Sequence, residues 1–211
     1  MKRTPTIAQI GIMLIALGTI AVTAFVAWQR IADTRTTETA ERAGLSVAVK
    51  IGGPFALTNH LGEKVSDAVY RGQYLYIYFG YGYCPDVCPT TLSDISGWLE
   101  ELGDEAAQMN VVFITVDPER DTVEAMAEYV GYFHPAIRGW TGPANQVARA
   151  AEGFRASYER VPTEGGDYTM NHTASVFLFD AKGELVTMID YHEPREFAVP
   201  KIRRALTEVV E

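Results

Sequence analysis

Two cysteines in 211 residues are too few for a disulfide-scaffolded small domain or for a four-cysteine zinc site. Positive charge is also scarce, with 18 Lys and Arg against 27 Asp and Glu and a formal net charge of −9. The first thirty residues hold Lys2, Arg3 and Arg30 and no acid, so residues 31–211 set 15 cations against 27 acids. A body this acidic repels phosphate backbones, and no nucleic-acid partner is expected. Internal repeats are missing too. What is present, 47% hydrophobic and 21% charged residues, excludes a fully disordered or collagen-like chain. The length accommodates one ordinary domain plus an appendage, or two very small domains.

One long apolar run stands near the amino terminus. Residues 7–28 carry Gln9 as the one strongly polar side chain, and spanning hydrocarbon takes about 20 apolar residues. Lys2 and Arg3 precede the run, and Trp28 ends it where an interfacial aromatic is favoured. A cleaved signal peptide is the alternative, because Ala21, Ala24 and Ala27 offer small residues, but its apolar region is normally only 7–15 residues long. The expectation is therefore a membrane anchor over 1–30, with its amino terminus inside and the remainder outside the cytoplasm. The polar, Thr- and Ala-rich residues 31–50 read as a tether, and the globular domain as 51–211.

Within that domain, periodicity alternates between strand and helix. Residues 55–58 are a short candidate strand, followed by a turn at 59–62. Residues 74–81 (YLYIYFGY) and 111–116 (VVFITV) suit strands buried on both faces. Helices are expected at 91–102, 121–133 and 143–154, with Val147 and Ala150 of the last turned inward. Strands at 175–179 and 185–189 are joined through Asp180-Ala181-Lys182-Gly183, where glycine supplies the positive φ of a tight hairpin. A helix over 200–210 closes the chain. Right-handed crossovers place the first two long strands side by side and parallel, giving an α/β domain whose mixed central sheet is flanked by helices in thioredoxin-like order.

Both cysteines fall where the most hydrophobic strand gives way to a helix, in Gly82-Tyr83-Cys84-Pro85-Asp86-Val87-Cys88-Pro89. That is the carboxyl edge of the sheet, where open α/β folds place their sites. Pro89 cannot donate a helical hydrogen bond, so regular helix is expected to begin at Pro89 with Cys88 near the cap. Free amides and the helix dipole there favour thiolate. Three chemistries fit the pair. A stapling disulfide would close about five residues and yield only about 2 kcal/mol. A dithiol–disulfide redox site normally has two intervening residues, not three. A metal site needs at least one further ligand.

Four histidines could supply it. His60 lies in a polar turn, His134 before Pro135 and His192 in the loop before the last helix, and all three are expected to be exposed. His172 immediately precedes the strand at 175–179, whose beginning faces the cysteine turn in this topology. Two thiolates and one imidazole suit Cu(I), and zinc with water as a fourth ligand would also accept them. Met170, two residues earlier, is read as packing. Asp86 serves either as an acid at the helix start or as a modulator of metal affinity. The segment Asp117-Pro118-Glu119-Arg120-Asp121-Thr122 follows the second long strand at the same edge; it is read as a turn with Asp117 or Asp121 capping the next helix, a partner contact being the alternative.

The segments FGYGYCPDVCPTTL (79–92), VDPERDT (116–122) and DYTMNHTASVFLFD (167–180), with 139–158 between them, resemble the SCO/SenC family of copper-binding cytochrome c oxidase assembly factors over about residues 50–210. The resemblance implies a membrane-anchored, thioredoxin-like domain, here in the bacterial inner membrane and facing the periplasm. It also implies Cys84, Cys88 and His172 as ligands of Cu(I) or Cu(II). By the same resemblance the chain is a metallochaperone rather than an enzyme. It would take copper from an upstream donor and deliver it to the dinuclear copper A centre of oxidase subunit II, or would reduce that partner's cysteines. Two departures stand out. Tyr83 precedes the first cysteine where a polar residue is common, and Asn171 precedes the histidine where Asp is usual. Losing that carboxylate favours Cu(I) over Cu(II). Thioredoxins also place a cis-proline where this chain has His172-Thr173, an exchange that favours holding a metal over binding a disulfide.

Overall fold

The computed structural model describes residues 25–29, 51–70 and 72–207, and the chain divides into two compact units, Met1–Val49 and Lys50–Glu211. In the first unit residues 25–29 are helical and exposed. The expected membrane segment otherwise lies outside the described residues, as does the expected tether. Among the described residues no helix is long and apolar enough to cross a membrane.

The second unit is built on a seven-stranded sheet in the order β2-β1-β5-β4-β3-β8-β9. Its strands are β1 (Ala56–Asn59), β2 (Lys64–Ser66), β3 (Tyr74–Gly80), β4 (Met109–Thr115), β5 (Ile137–Thr141), β8 (Val176–Phe179) and β9 (Leu185–Ile189). β3 is buried over six of its seven residues because it has a neighbour on each edge and helices on each face. It pairs parallel with β4, as the crossover rule requires, and antiparallel with β8. Side chains alternate across it. Tyr76 and Tyr78 turn toward α1 (Val87–Leu102), α2 (Val123–Val130) and α4 (Arg195–Thr207), while Phe79 meets Phe154 just beyond α3 (Ala144–Gly153). In α1 the buried residues Leu92, Ile95, Leu99 and Leu102 recur at helical spacing, and Gly103 ends the helix with φ 54°. The predicted hairpin turn is present, with φ 80° at Gly183. The mixed sheet flanked by helices is the architecture expected from the sequence.

Several local expectations are corrected. α1 begins at Val87 with Asp86 as its N-cap, so Pro89 is the third helical residue and Cys88 the second. Proline is tolerated there because the first amides of a helix have no partner inside it. α4 begins at Arg195 and contains Pro200; the Glu196 carbonyl that loses its donor is on an exposed residue, where water can satisfy it. Thr122, not Asp117 or Asp121, caps α2, accepting from the Ala125 amide at 3.2 Å. Four further strands, which the periodicity did not reveal, accompany the expected ones: β2, β5, and a separate antiparallel ribbon of β6 (Tyr158–Pro162) and β7 (Tyr168–His172).

Candidate metal centre

The end of β3, the start of α1 and the end of β7 bring three donors together. The Cys84 and Cys88 sulfurs and a His172 ring nitrogen all lie within 4.8 Å of one another, and both thiols are free. Cys88 is fully buried, whereas Cys84 and His172 are half-buried. Its burial depends on a glycine: a Cβ at Gly80 would come within 2.7 Å of the Cys88 sulfur and 2.6 Å of the Phe113 ring. His172 reaches the pair because β8 runs antiparallel to β3, with Val176 opposite Tyr78 near the cysteine edge.

Hydrogen bonds orient the donors. His172 Nδ1 donates to the Thr173 carbonyl at 2.9 Å, which leaves Nε2 as the free donor atom, 3.3 Å from Cys88 Sγ. The rings of Tyr81 and Tyr78 stand edge-on to the imidazole at 5.8 and 6.3 Å. The Cys88 amide, one of the unpaired donors at the start of α1, donates to Cys84 Sγ at 3.3 Å. The Cys84 thiol is held well below the ordinary thiol range, first by hydrogen bonding from the Cys88 side chain, then by the Cys88 and Asp86 amides. Cys88 is pushed up, by the same hydrogen bond and by burial. The two shifts run in opposite directions, so in the metal-free pair Cys84 favours the thiolate and Cys88 the thiol.

Metal–sulfur and metal–nitrogen bonds of about 2.3 and 2.0 Å put ligand atoms of a trigonal site roughly 4 Å apart. The three donors therefore fit a soft, three-coordinate ion with little movement. Met170 is buried in β7 and packs with the core, as read from the sequence. Asp86 is exposed and its side chain caps nothing. Of the other histidines only His192 is exposed; His60 and His134 are half-buried and accept from the Gly139 and Ala136 amides, which corrects the expectation for them. Sequence reasoning missed the linkage of the site to Asp117, Arg120 and Asp121. The sequence placed the 116–122 segment at the same sheet edge, but the contact to Tyr168 that makes the link is 48 residues away in the chain.

This arrangement defines a metal-binding member of the thioredoxin-like class, with two cysteines from a strand–helix turn and a histidine from a late hairpin. The chain belongs to the SCO1/SenC family, whose family model matches residues 44–207. It is 41% identical over 139 residues to human "Protein SCO1 homolog, mitochondrial", covering 64% of this chain and 46% of that protein. It is 32% identical over 206 residues to yeast "Protein SCO2, mitochondrial", covering 96% of this chain and 67% of that one. The chain thus spans about half to two thirds of the length of these curated relatives. Among solved structures, copper-bound ScoI of Bradyrhizobium japonicum is similar at TM-score 0.69 and 41% identity, over 74% of this chain and 99% of that one. Copper-bound yeast Sco1 is similar at TM-score 0.71 and 32% identity, over 76% and 91%. BsSco, described as a member of the Sco family of cytochrome c oxidase assembly proteins, shares the fold at TM-score 0.61 and 20% identity, over 75% and 95%.

Proposed function

We propose that this chain is a copper metallochaperone in which Cys84, Cys88 and His172 hold one copper ion for delivery to the dinuclear copper A centre of cytochrome c oxidase subunit II. The carrying observation is the convergence of two sulfurs and one oriented imidazole within 4.8 Å. Relatives solved with copper bound, and a family described by its role in oxidase assembly, support the reading. Copper is cargo here. The reduced pair captures Cu(I) from an upstream donor and releases a proton as Cys88 ionises. A docked partner then offers its own thiolate and imidazole donors, and ligand exchange moves the ion without free release. The apolar segment at 7–28 supports a single-pass anchor in the bacterial inner membrane with this domain in the periplasm.

A second reading rests on the depressed Cys84 thiol, the form of a nucleophile in disulfide exchange. The Cys84 thiolate would attack a partner disulfide, displacing one partner sulfur and forming a mixed disulfide. Cys88, losing its proton, would then displace the second partner sulfur. One disulfide is broken and one formed, and two electrons pass to the partner.

Copper stoichiometry and X-ray absorption on the reduced full chain in detergent test the first reading. Two sulfurs and at least one nitrogen around one copper are expected, with copper lost to a chelator on His172→Ala. Zinc retained in preference to copper overturns it. The second reading predicts partner-disulfide reduction that survives His172→Ala and stops with Cys84→Ser or Cys88→Ser.

A further inference from the structure

The ligands come from two segments, and one turn outside both touches each of them. That turn, residues 116–122, joins β4 to α2 and contributes no ligand. It begins where the Val116 amide donates to the Gly80 carbonyl at 2.7 Å, at the end of the strand leading to the cysteines. Asp121, 2% exposed, accepts from the Gly82 amide at 3.0 Å and from the Thr115 hydroxyl. The cysteine loop is thereby fixed from behind by a buried carboxylate.

The other end of the turn grips β7. Asp117, 3% exposed, accepts from Arg120 Nε and from the Tyr168 hydroxyl, the latter at 2.9 Å. Arg120 Nη1 donates to the Tyr168 carbonyl at 3.0 Å, and its guanidinium lies 3.7 Å from the centre of the Tyr168 ring and 4.9 Å from that of Tyr83. Nη2 is buried with no hydrogen-bond partner. The ion pair with Asp117, the bond to the Tyr168 carbonyl and stacking on the tyrosine rings together fix where this guanidinium sits. Tyr168 opens β7, and His172 ends it. β6 and β7 pair with each other and with no strand of the main sheet, and a cleft lined by Asp117, Arg160 and Met170 runs beside them. The ribbon has other ties to the body, among them Tyr81 to Thr169 at 2.7 Å, but Arg120 joins the carboxylates of Asp117 and Asp167, a β7 carbonyl and the rings of Tyr81, Tyr83 and Tyr168 in one contact.

From this geometry we infer that Arg120, seated on Asp117, is a positioning residue that holds His172 within bonding reach of the two sulfurs, acting through Tyr168 and β7. The inference rests on the reading of Cys84, Cys88 and His172 as copper ligands. It gives the 116–122 segment a role distinct from turn and cap, namely setting the spacing between two halves of a site that it does not enter.

The test uses the reduced full chain in detergent with one equivalent of copper, in a double-mutant cycle of Arg120→Ala and His172→Ala. Arg120→Ala is expected to keep both sulfurs on copper, to lose nitrogen scattering, and to weaken copper binding about 10- to 100-fold, the range for residues that orient ligands. In the His172→Ala background the same substitution should change affinity by less than about threefold, because the imidazole that Arg120 positions is already gone. In the metal-free reduced protein, amides of β7 should exchange with deuterium at least about tenfold faster in Arg120→Ala, while those of β3 and β4 keep their protection. Unchanged nitrogen scattering and affinity in Arg120→Ala overturns the inference, and so does an equal loss in both backgrounds. If Arg120→Ala does not fold, Tyr168→Phe, which removes only the hydroxyl bonded to Asp117, goes through the same cycle. A smaller loss confined to the His172 background is then expected, and an equal loss in both overturns the inference. Wild-type protein with no nitrogen on copper defeats the copper reading itself; nitrogen present in wild type and undiminished in the variant defeats only the role of Arg120.

Discussion

Cysteine side and histidine side of this centre are built differently. Cys84 and Cys88 follow β3, an interior strand of a seven-stranded sheet, and Cys88 lies fully buried beside Gly80. His172 ends a two-stranded ribbon in which Met170 is the one buried residue. The first region has the packing of the core; the second is held by a few specific contacts. Stability of the fold therefore governs the sulfurs, while local contacts govern the imidazole, and the two can be perturbed separately.

The largest effect is expected from Gly80→Ala. The new methyl would overlap Phe113 and Cys88, whose ring and sulfur cannot retreat from a packed interior. Overpacking of this kind costs about 1–3 kcal/mol, so thermal unfolding should shift down by roughly 2–10 °C, with copper binding lost together with the fold. A variant with native stability and full copper affinity would break the comparison on its cysteine side.

Next comes reactivity within the pair. Iodoacetamide attacks the thiolate, and Cys84 is held ionised chiefly by hydrogen bonding from Cys88. Lowering pH from 8 to 5 should therefore leave the rate at Cys84 in the reduced, metal-free protein nearly unchanged, whereas an ordinary thiol of pKa about 8.5 would slow by several hundredfold. Cys88, pushed the other way, should stay unlabelled over the same range. Peptide mapping after timed alkylation distinguishes the two sites.

The smallest effect is expected from Arg160→Ala. Arg160 stacks on the outer face of the same Tyr168 ring at 3.7 Å and pairs with Glu119, but it is exposed and reaches neither Asp117 nor a β7 carbonyl. Exposed ion pairs contribute little. Copper affinity should stay within about twofold of wild type. A loss as large as that of Arg120→Ala would show that stacking on Tyr168 alone, from either side, secures the ribbon.

The same contrast explains what could be read in the sequence. β3, β4, α1 and the β8–β9 hairpin carry their signal locally, as apolar runs, helical spacing and a glycine turn. β5 does not: Ile137–Thr141 contains Arg138 and Gly139, and becomes a strand by pairing with β4 on one edge and β1 on the other. Gly139 is required there because a Cβ would press on Met126 and Val130 at 2.9 Å. The ribbon is mostly polar, so alternation gave no warning, although Gly165 and Gly166, with φ near 89° and 86°, mark its turn. His172 was legible from its place before β8 and from the family resemblance. Arg120 was not, because its role exists only once Tyr168 is brought to it across 48 residues.

The unequal burial of the two sulfurs gives the centre a front and a back. Solvent reaches Cys84 and the imidazole but not Cys88, which shows 0% of its surface. In a centre loaded as proposed, a partner would approach the ion from the open side and would meet Cys84 and the imidazole before Cys88. Burial thus makes one of the two sulfurs a surface contact and the other a fixture of the interior.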